Sequence, residues 1–218
     1  MVLNSKQYDI IIVGGGIAGS IAARYTAENK LETLLVESAR TPREKPCSAI
    51  QFKYFQKLIG KRIPKDKLCT NTLNRLYIEW PNGKSFNFSF KMLNFTRDVF
   101  DSWLNSVAIE AGAEFRDAVR CTGFEKVSDG FIVSLHPKHS EIEKVRTKYL
   151  IAADGLASKI RHILRPQDYL KKAPSGTLNY YINADDDGEL DPHTLYQFWN
   201  LNFSNLMFAW TYKKNDLW

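Results

Sequence analysis

The chain has 218 residues, with 30 Lys+Arg against 24 Asp+Glu, a formal charge of +6 and 44% apolar residues. This length makes one large domain or a domain and a half, and the balance of apolar and charged residues excludes disorder, collagen-like repeats and a disulfide scaffold. The positive charge is spread along the chain, which suits an anionic small molecule and argues for no nucleic-acid partner.

The chain opens on Tyr8–Val13, a β-branched run that predicts a strand buried on both faces. Glycines follow, then an alanine-rich helix over Ile17–Asn29 and a second buried strand at Thr33–Glu37. Together these make a βαβ unit with parallel strands. Past a polar loop, the apolar spacing predicts a helix over Ala49–Ile59. Leu73–Glu79 and Ser85–Lys91 alternate around Pro81-Asn-Gly83, a hairpin pattern. Thr96 reads as the N-cap of a helix running to Glu110, with Asp98 and Asp101 favoured by the helix dipole and Gly112 as the stop.

Glu114–Arg116 reads as a short parallel strand. Thr122–Val127 and Phe131–His136 flank Asp129-Gly130 as a second hairpin, and Val145–Ala153 ends as a buried strand. Further strands are expected near 177–183, Leu195–Trp199 and 206–212, and Asp185–Asp187 reads as a solvated turn. Cys47, Cys69 and Cys121 form no Cys-x-x-Cys pair, and His136, His139, His162 and His193 have no ligand spacing, so no metal site is expected. Scattered cysteines, with neither a signal peptide nor a spanning segment, predict a cytoplasmic location.

Gly14-Gly15-Gly16-Ile17-Ala18-Gly19 fits G-x-G-x-x-G and sits between a strand and a helix, where a dinucleotide pyrophosphate needs it. Gly14 serves the tight turn, Gly16 the close approach of backbone to phosphate, and Gly19 the helix–strand packing. The helix N-terminus offers its unpaired N–H groups to the phosphates. Glu37, 18 residues after Gly19 and followed by Ser38, is placed to accept from ribose hydroxyls. These residues leave NAD and FAD both open. The segment Tyr149–Arg161 then delivers Asp154 and Gly155 at the end of a buried strand, where ligands sit in an open α/β sheet.

The glycine loop, Glu37 and the segment Ala153-Asp-Gly-x-x-Ser-x-x-Arg161, in this order, resemble the flavoproteins of the p-hydroxybenzoate hydroxylase fold. Lys45-Pro-Cys-Ser-Ala49 and Arg97-Asp-Val-Phe-Asp-Ser-Trp-Leu104 are similar to segments of their geranylgeranyl reductase-like branch, with Ser48-Ala49 in place of the usual Gly-Gly. The resemblance implies an α/β fold. In it, a Rossmann-like FAD-binding domain, with a parallel sheet and a β-meander crossover, is joined to part of a β-rich substrate domain. It places the FAD-binding domain at 1–70 and 92–170 and the partial substrate domain at 71–91 and 171–218.

FAD is the implied cofactor. Glu37 would lie on the adenosine ribose, Arg97 near the ribityl–phosphate region, the Cys121 backbone at adenine, and Cys47 in the loop beside the flavin. Asp154 and Gly155 would support FAD and engage NAD(P)H as the electron donor. No catalytic residue is assigned. The family's later Gly-Asp fingerprint has no counterpart, since none of the 12 glycines precedes Asp, so the chain is expected to be the N-terminal part of a longer flavoprotein.

Tyr196, Phe198, Trp199, Phe203, Phe208, Trp210 and Tyr212 suggest an apolar substrate cavity or plain core packing. The implied activity is reduction of double bonds in an isoprenoid or other apolar chain. The alternatives are a flavin monooxygenase or halogenase of the same fold, or a non-catalytic nucleotide-binding remnant. The expected partners are a small apolar substrate, a membrane surface touched peripherally through a lipid substrate, and a missing C-terminal half or a second copy.

Overall fold

The structure, a computed structural model, describes residues 2–52, 54–168, 178–184, 188–202 and 208–218. The turn expected at 185–187 and parts of the strands expected near 177 and 206 lie outside these residues. The elements run β1 (Val2–Val13), α1 (Ile17–Glu28), β2 (Thr33–Val36), β3 (Ile50–Phe52), α2 (Phe55–Ile59), α3 (Lys65–Leu68), β4 (Cys69–Glu79) and β5 (Ser85–Phe95). They continue with α4 (Arg97–Glu110), β6 (Glu114–Arg116), β7 (Val119–Val127), β8 (Gly130–Pro137), β9 (Glu143–Ala152), α5 (Lys159–Leu164), β10 (Thr194–Phe198) and β11 (Ala209–Thr211).

The chain divides into two compact units, Met1–Lys45 with Asp98–Gly176, and Pro46–Arg97 with Thr177–Trp218. The sequence reading grouped 46–70 and 92–97 with the first unit. In the structure they fall in the second, where β3 pairs with the end of β5.

The first unit is a six-stranded sheet in the order β6-β2-β1-β9-β8-β7. β1 is inside it, parallel to β2 through Val13↔Val36 and to β9 through Val13↔Ala152. Its β-branched run is buried on both faces because each face packs a different layer. Ile10 and Ile12 meet Ala23 and Ala27 of α1 and Ala108 of α4, where small side chains let the helices seat closely. Ile11 and Val13 meet Val119, Val133, Leu135 and Val145 of the meander β7–β8–β9. Each fully buried Ile, Leu or Val contributes about 1.5–3 kcal/mol, so these two layers dominate the unit's stability. β9 closes the meander as the antiparallel neighbour of β8 and joins the parallel sheet as the neighbour of β1. β1 also starts earlier than its sequence suggests, because Val2 and Leu3 pair with Glu143 and Lys144 at the start of β9.

The second unit is a five-stranded sheet in the order β11-β10-β4-β5-β3. β4 and β5 form the expected hairpin, with Gly83 at φ +77° in its turn. Leu73, Met92 and Leu195 form the buried centre, flanked by Ile50, Leu76, Phe90, Trp210 and Tyr212.

Two expectations are corrected here. Ala49–Ile59 is no continuous helix: Ile50–Phe52 pairs antiparallel with β5, and α2 begins only at Phe55. Pairing with a long neighbouring strand outweighs the weak helical preference of so short a segment. The described residues 178–184 form no strand, and Ile182 exchanges backbone hydrogen bonds with Trp218 at 2.9 and 3.0 Å.

Candidate functional site

The site grows from the ends of β1, β2 and β9 in the first unit. After Val13 the backbone turns at Gly14, which takes φ +111° and donates its N–H to Val36 O at 2.8 Å. A Cβ at Gly14 would collide with the Ala153 carbonyl, so strain and space both require glycine here. Gly16 precedes α1 without any side-chain cap, and the helix's first N–H groups are left facing the loop. Ile17, Ala18 and Gly19 make the first turn of α1, and Gly19 sits directly against Gly14 O. From the other side Ala153 N–H donates to Val13 O at 2.8 Å, which brings Asp154 to the same sheet edge as the glycine loop. One Asp154 oxygen accepts from Ile160 N–H at 3.3 Å and fixes the turn into α5.

Glu37, at the end of β2, is buried, and both of its carboxylate oxygens are occupied. Oε1 accepts from Ala39 N–H at 3.0 Å and from the Ser38 hydroxyl at 3.1 Å. Oε2 accepts from Gly15 N–H at 3.0 Å and lies 3.3 Å from Arg43 Nε. Burial disfavours the charge, but Ala39 N–H, the Arg43 guanidinium, the Ser38 hydroxyl and Gly15 N–H outweigh it and hold Glu37 below the ordinary carboxylate range. Arg43 reaches on to Asp101 of α4, with Nη2 to Oδ2 at 3.3 Å, and Asp101 is only 2% exposed. Four residues along α4, Asn105 Oδ1 lies 2.7 Å from the Ser20 hydroxyl, which also reaches Gly16 O at 2.8 Å. Helix α4 thus supports both the acidic residue and the glycine loop from behind.

These groups surround a cavity of about 690 Å³. Of the residues anticipated from sequence, Gly14, Gly16, Glu37, Ser38, Cys121, Asp154 and Gly155 line it together. Ile17, Ala18 and Gly19 stand immediately behind the loop. Cys47 and Arg97 belong to the second unit, where Cys47 Sγ accepts from Ala49 N–H at 3.4 Å. Cys121 is buried on β7, and burial pushes its thiol up to about 11, so it serves as wall and not as nucleophile. Arg43, Lys45, Arg120, Thr122 and Lys159 also line the cavity and were missed in the sequence. Arg43 sits in a loop six residues after Glu37, and the others occupy ordinary surface positions of a strand, a loop and a short helix.

The lining therefore holds Arg43, Lys45, Arg120 and Lys159 against the carboxylates of Glu37 and Asp154. A cation excess beside a glycine turn, with an uncapped helix N-terminus on one side and a buried carboxylate on the other, fits an adenosine carrying a dianionic pyrophosphate. In the second unit the aromatic residues pack on one another: Tyr77 lies tilted against Tyr196 at 5.6 Å between ring centroids, and Trp199 stacks on Phe208 at 5.0 Å. Phe203 lies outside the described residues. Among the described residues no helix is long and apolar enough to cross a membrane.

A family model described as an FAD binding domain matches residues 89–190. Digeranylgeranylglycerophospholipid reductase 2 of Methanopyrus kandleri is 31% identical over 71% of this chain and 39% of its own length. A digeranylgeranylglycerophospholipid reductase of Methanocella arvoryzae is 25% identical over 97% of this chain and 55% of its own. Among solved structures, a geranylgeranyl bacteriochlorophyll reductase-like protein of Thermoplasma acidophilum superposes with a TM-score of 0.81 at 24% identity, covering 99% of this chain and 55% of that one. A myxobacterial FAD-dependent halogenase shares the fold with a TM-score of 0.73 at 12% identity, covering 97% of this chain and 51% of that one. The chain spans about two-fifths to just over half the length of these curated relatives. With its glycine loop, its buried acid at the end of β2 and its Asp154-Gly155 turn, the chain is similar to the reductases of this group and carries part of an FAD binding domain.

Proposed function

We propose that this chain is the FAD-binding part, with a portion of the substrate domain, of a cytoplasmic oxidoreductase that reduces carbon–carbon double bonds in an isoprenoid or other apolar substrate. The observation that carries the reading is the donor set of the first unit's cavity: Gly14 and Gly16, the α1 N-terminus, buried Glu37 and an excess of cations in the lining. The reductase relatives and the shared fold favour reduction over the halogenase chemistry of the more distant neighbours.

Bound FAD supplies the hydride in its reduced form, and the protein supplies binding and orientation. On this reading the α1 N-terminus and the cavity's cations take the pyrophosphate, Glu37 and Ser38 the adenosine ribose, and the Cys121 backbone the adenine. Arg97 takes the ribityl–phosphate region, and the Cys47 loop borders the flavin. Asp154 and Gly155 support the cofactor and engage NAD(P)H as electron donor. An isoprenoid drawn from a lipid phase would bring the protein to a membrane surface as a peripheral contact. Phe86 and Phe88, each nearly half exposed on β5, favour self-association or an apolar partner segment.

The test is an FAD titration of the purified chain followed by its visible spectrum. A bound flavin, displaced by ADP, is the expected result. A folded chain that binds neither FAD nor ADP overturns the proposal. An anaerobic assay with a reduced electron donor and a polyprenyl substrate then tests the chemistry, which should proceed without stoichiometric oxygen uptake. Turnover that requires oxygen would overturn the reductase assignment.

A further inference from the structure

Between Asp154 and Asp168 the chain carries Lys159, Arg161, His162 and Arg165, and no acidic residue. All four of these side chains are exposed. Among them stand Leu156, 63% exposed, Ile163, 40% exposed, and Leu164, 62% exposed. Single apolar residues on a surface need no explanation, but three of them within one short segment, set among cations, form a patch.

The fold ties this segment to the first unit by one residue of α5. Ile160 is buried in the core cluster of β1 and the meander β7–β8–β9. Ser158 caps α5 by accepting from Arg161 N–H at 2.9 Å, and the Arg161 guanidinium donates to Leu156 O. Ile163 and Leu164 follow Ile160 at i+3 and i+4, the spacing of one apolar helix face, yet only Ile160 is covered. The apolar face therefore runs past the core into solvent. Leucines beside cations, with no acid among them, match the boundary of an anionic lipid leaflet. There the apolar side chains enter the acyl region while Lys and Arg extend to the headgroups. A nucleic acid would use the cations and leave the leucines in water.

Resting on the reading that the substrate is an isoprenoid drawn from a lipid phase, we propose that Leu156, Ile163 and Leu164, with Lys159, Arg161 and Arg165, form the surface by which the first unit docks on an anionic leaflet. Among the described residues no helix is long and apolar enough to cross a membrane, so the contact lies in the plane of the interface. The patch starts at the cofactor cavity, whose lining includes Gly155, Ala157 and Lys159. Docking thus holds the rim of that cavity close to the leaflet.

The experiment is co-sedimentation of the purified chain with vesicles of phosphatidylcholine alone and of equal parts phosphatidylcholine and phosphatidylglycerol. Binding should require the anionic lipid and weaken as salt is raised. Arg165→Gln removes one cation and should weaken it about fivefold. Leu164→Ser removes one apolar contact and should weaken it about tenfold. The triple variant Leu156→Ser/Leu164→Ser/Arg165→Gln should lose vesicle binding and keep its affinity for ADP, since none of the three lines the cavity. A thermal melt reports folding, and if the triple variant fails it, the two single variants decide. Equal binding to neutral vesicles, or binding that the folded variants retain, overturns the proposal and points to another surface such as Phe86 and Phe88. Equally tight binding to a DNA duplex, with no effect of Leu164→Ser on the vesicles, also overturns it, because the patch is then a site for charge alone. A chain that binds ADP but no vesicle removes the docking surface and leaves the cofactor reading standing. Patch-dependent vesicle binding without reduction of a polyprenyl substrate keeps the surface and removes the reading of the substrate.

Discussion

Replacing Glu37 by Gln keeps the side-chain volume and removes the charge at the centre of the site. The amide carbonyl can accept from one side only, either from Ala39 N–H and Ser38 or from Gly15 N–H beside the Arg43 guanidinium. The NH₂ group must then face the other pair of donors. One buried N–H loses its acceptor, at about 1–3 kcal/mol, and the remaining bonds fall from charge-assisted to neutral strength, at about 1 kcal/mol. The sum is a loss of about 2–4 kcal/mol, measurable by urea unfolding at pH 7.

The pH dependence supplies the sharper check. The folded-state pKa of Glu37 is lowered, so its stabilisation is complete above the unfolded value of about 4.3 and disappears as pH falls through the folded value. The gap between wild type and Glu37→Gln should therefore be flat from pH 7 to about 5 and close progressively below about pH 4. A gap that stays constant down to about pH 3, or no gap at pH 7, would refute the assigned network.

Further outcomes follow from the geometry of the glycines and of Cys121. Gly14→Ala must absorb both a positive φ and a collision with the Ala153 carbonyl, and should lose about 3 kcal/mol or more together with nucleotide binding. Gly83→Ala, at φ +77° in open space, should cost only about 1 kcal/mol in thermal melts, and equal losses at the two sites would contradict the geometry. Cys121, buried and with its thiol pushed up to about 11, should escape iodoacetamide at pH 8 in the folded protein, as read by peptide mass spectrometry. Alkylation at the rate of an unfolded control would show that the β7 wall is open.

The βαβ core was legible because Ile10–Val13 and Thr33–Val36 are apolar without alternation, the pattern of strands covered on both faces. The glycine loop, Glu37 and Asp154 were legible because each sits at a strand end within a recognisable spacing. Ile50–Phe52 misled for the opposite reason: its apolar spacing suits a helix, and only the partner strand some 40 residues later decides otherwise. Val2–Lys6 is too polar to announce a strand, and becomes one because β9 extends far enough to pair with it. Arg43 was invisible as a site residue because its meaning depends on Asp101, which neighbours it in space and not in sequence. Local pattern reports burial well, but it cannot report a charge whose partners come from another element.

The double membership of β9 has a consequence for how the protein is made. The cavity's two rims, Gly14 and Asp154, are 140 positions apart in the chain and are joined only when β9 pairs with β1. β9 must at the same time take its place beside β8. Loop closure over such a span is slow, and the first βα unit emerges from the ribosome long before its partner strand exists. Nascent β1 therefore waits with an open edge, apolar on both faces, until β9 arrives. The cavity is assembled late, by the last strand of its sheet, so a nucleotide that binds the finished cavity rewards completion of the whole first unit and none of its earlier intermediates.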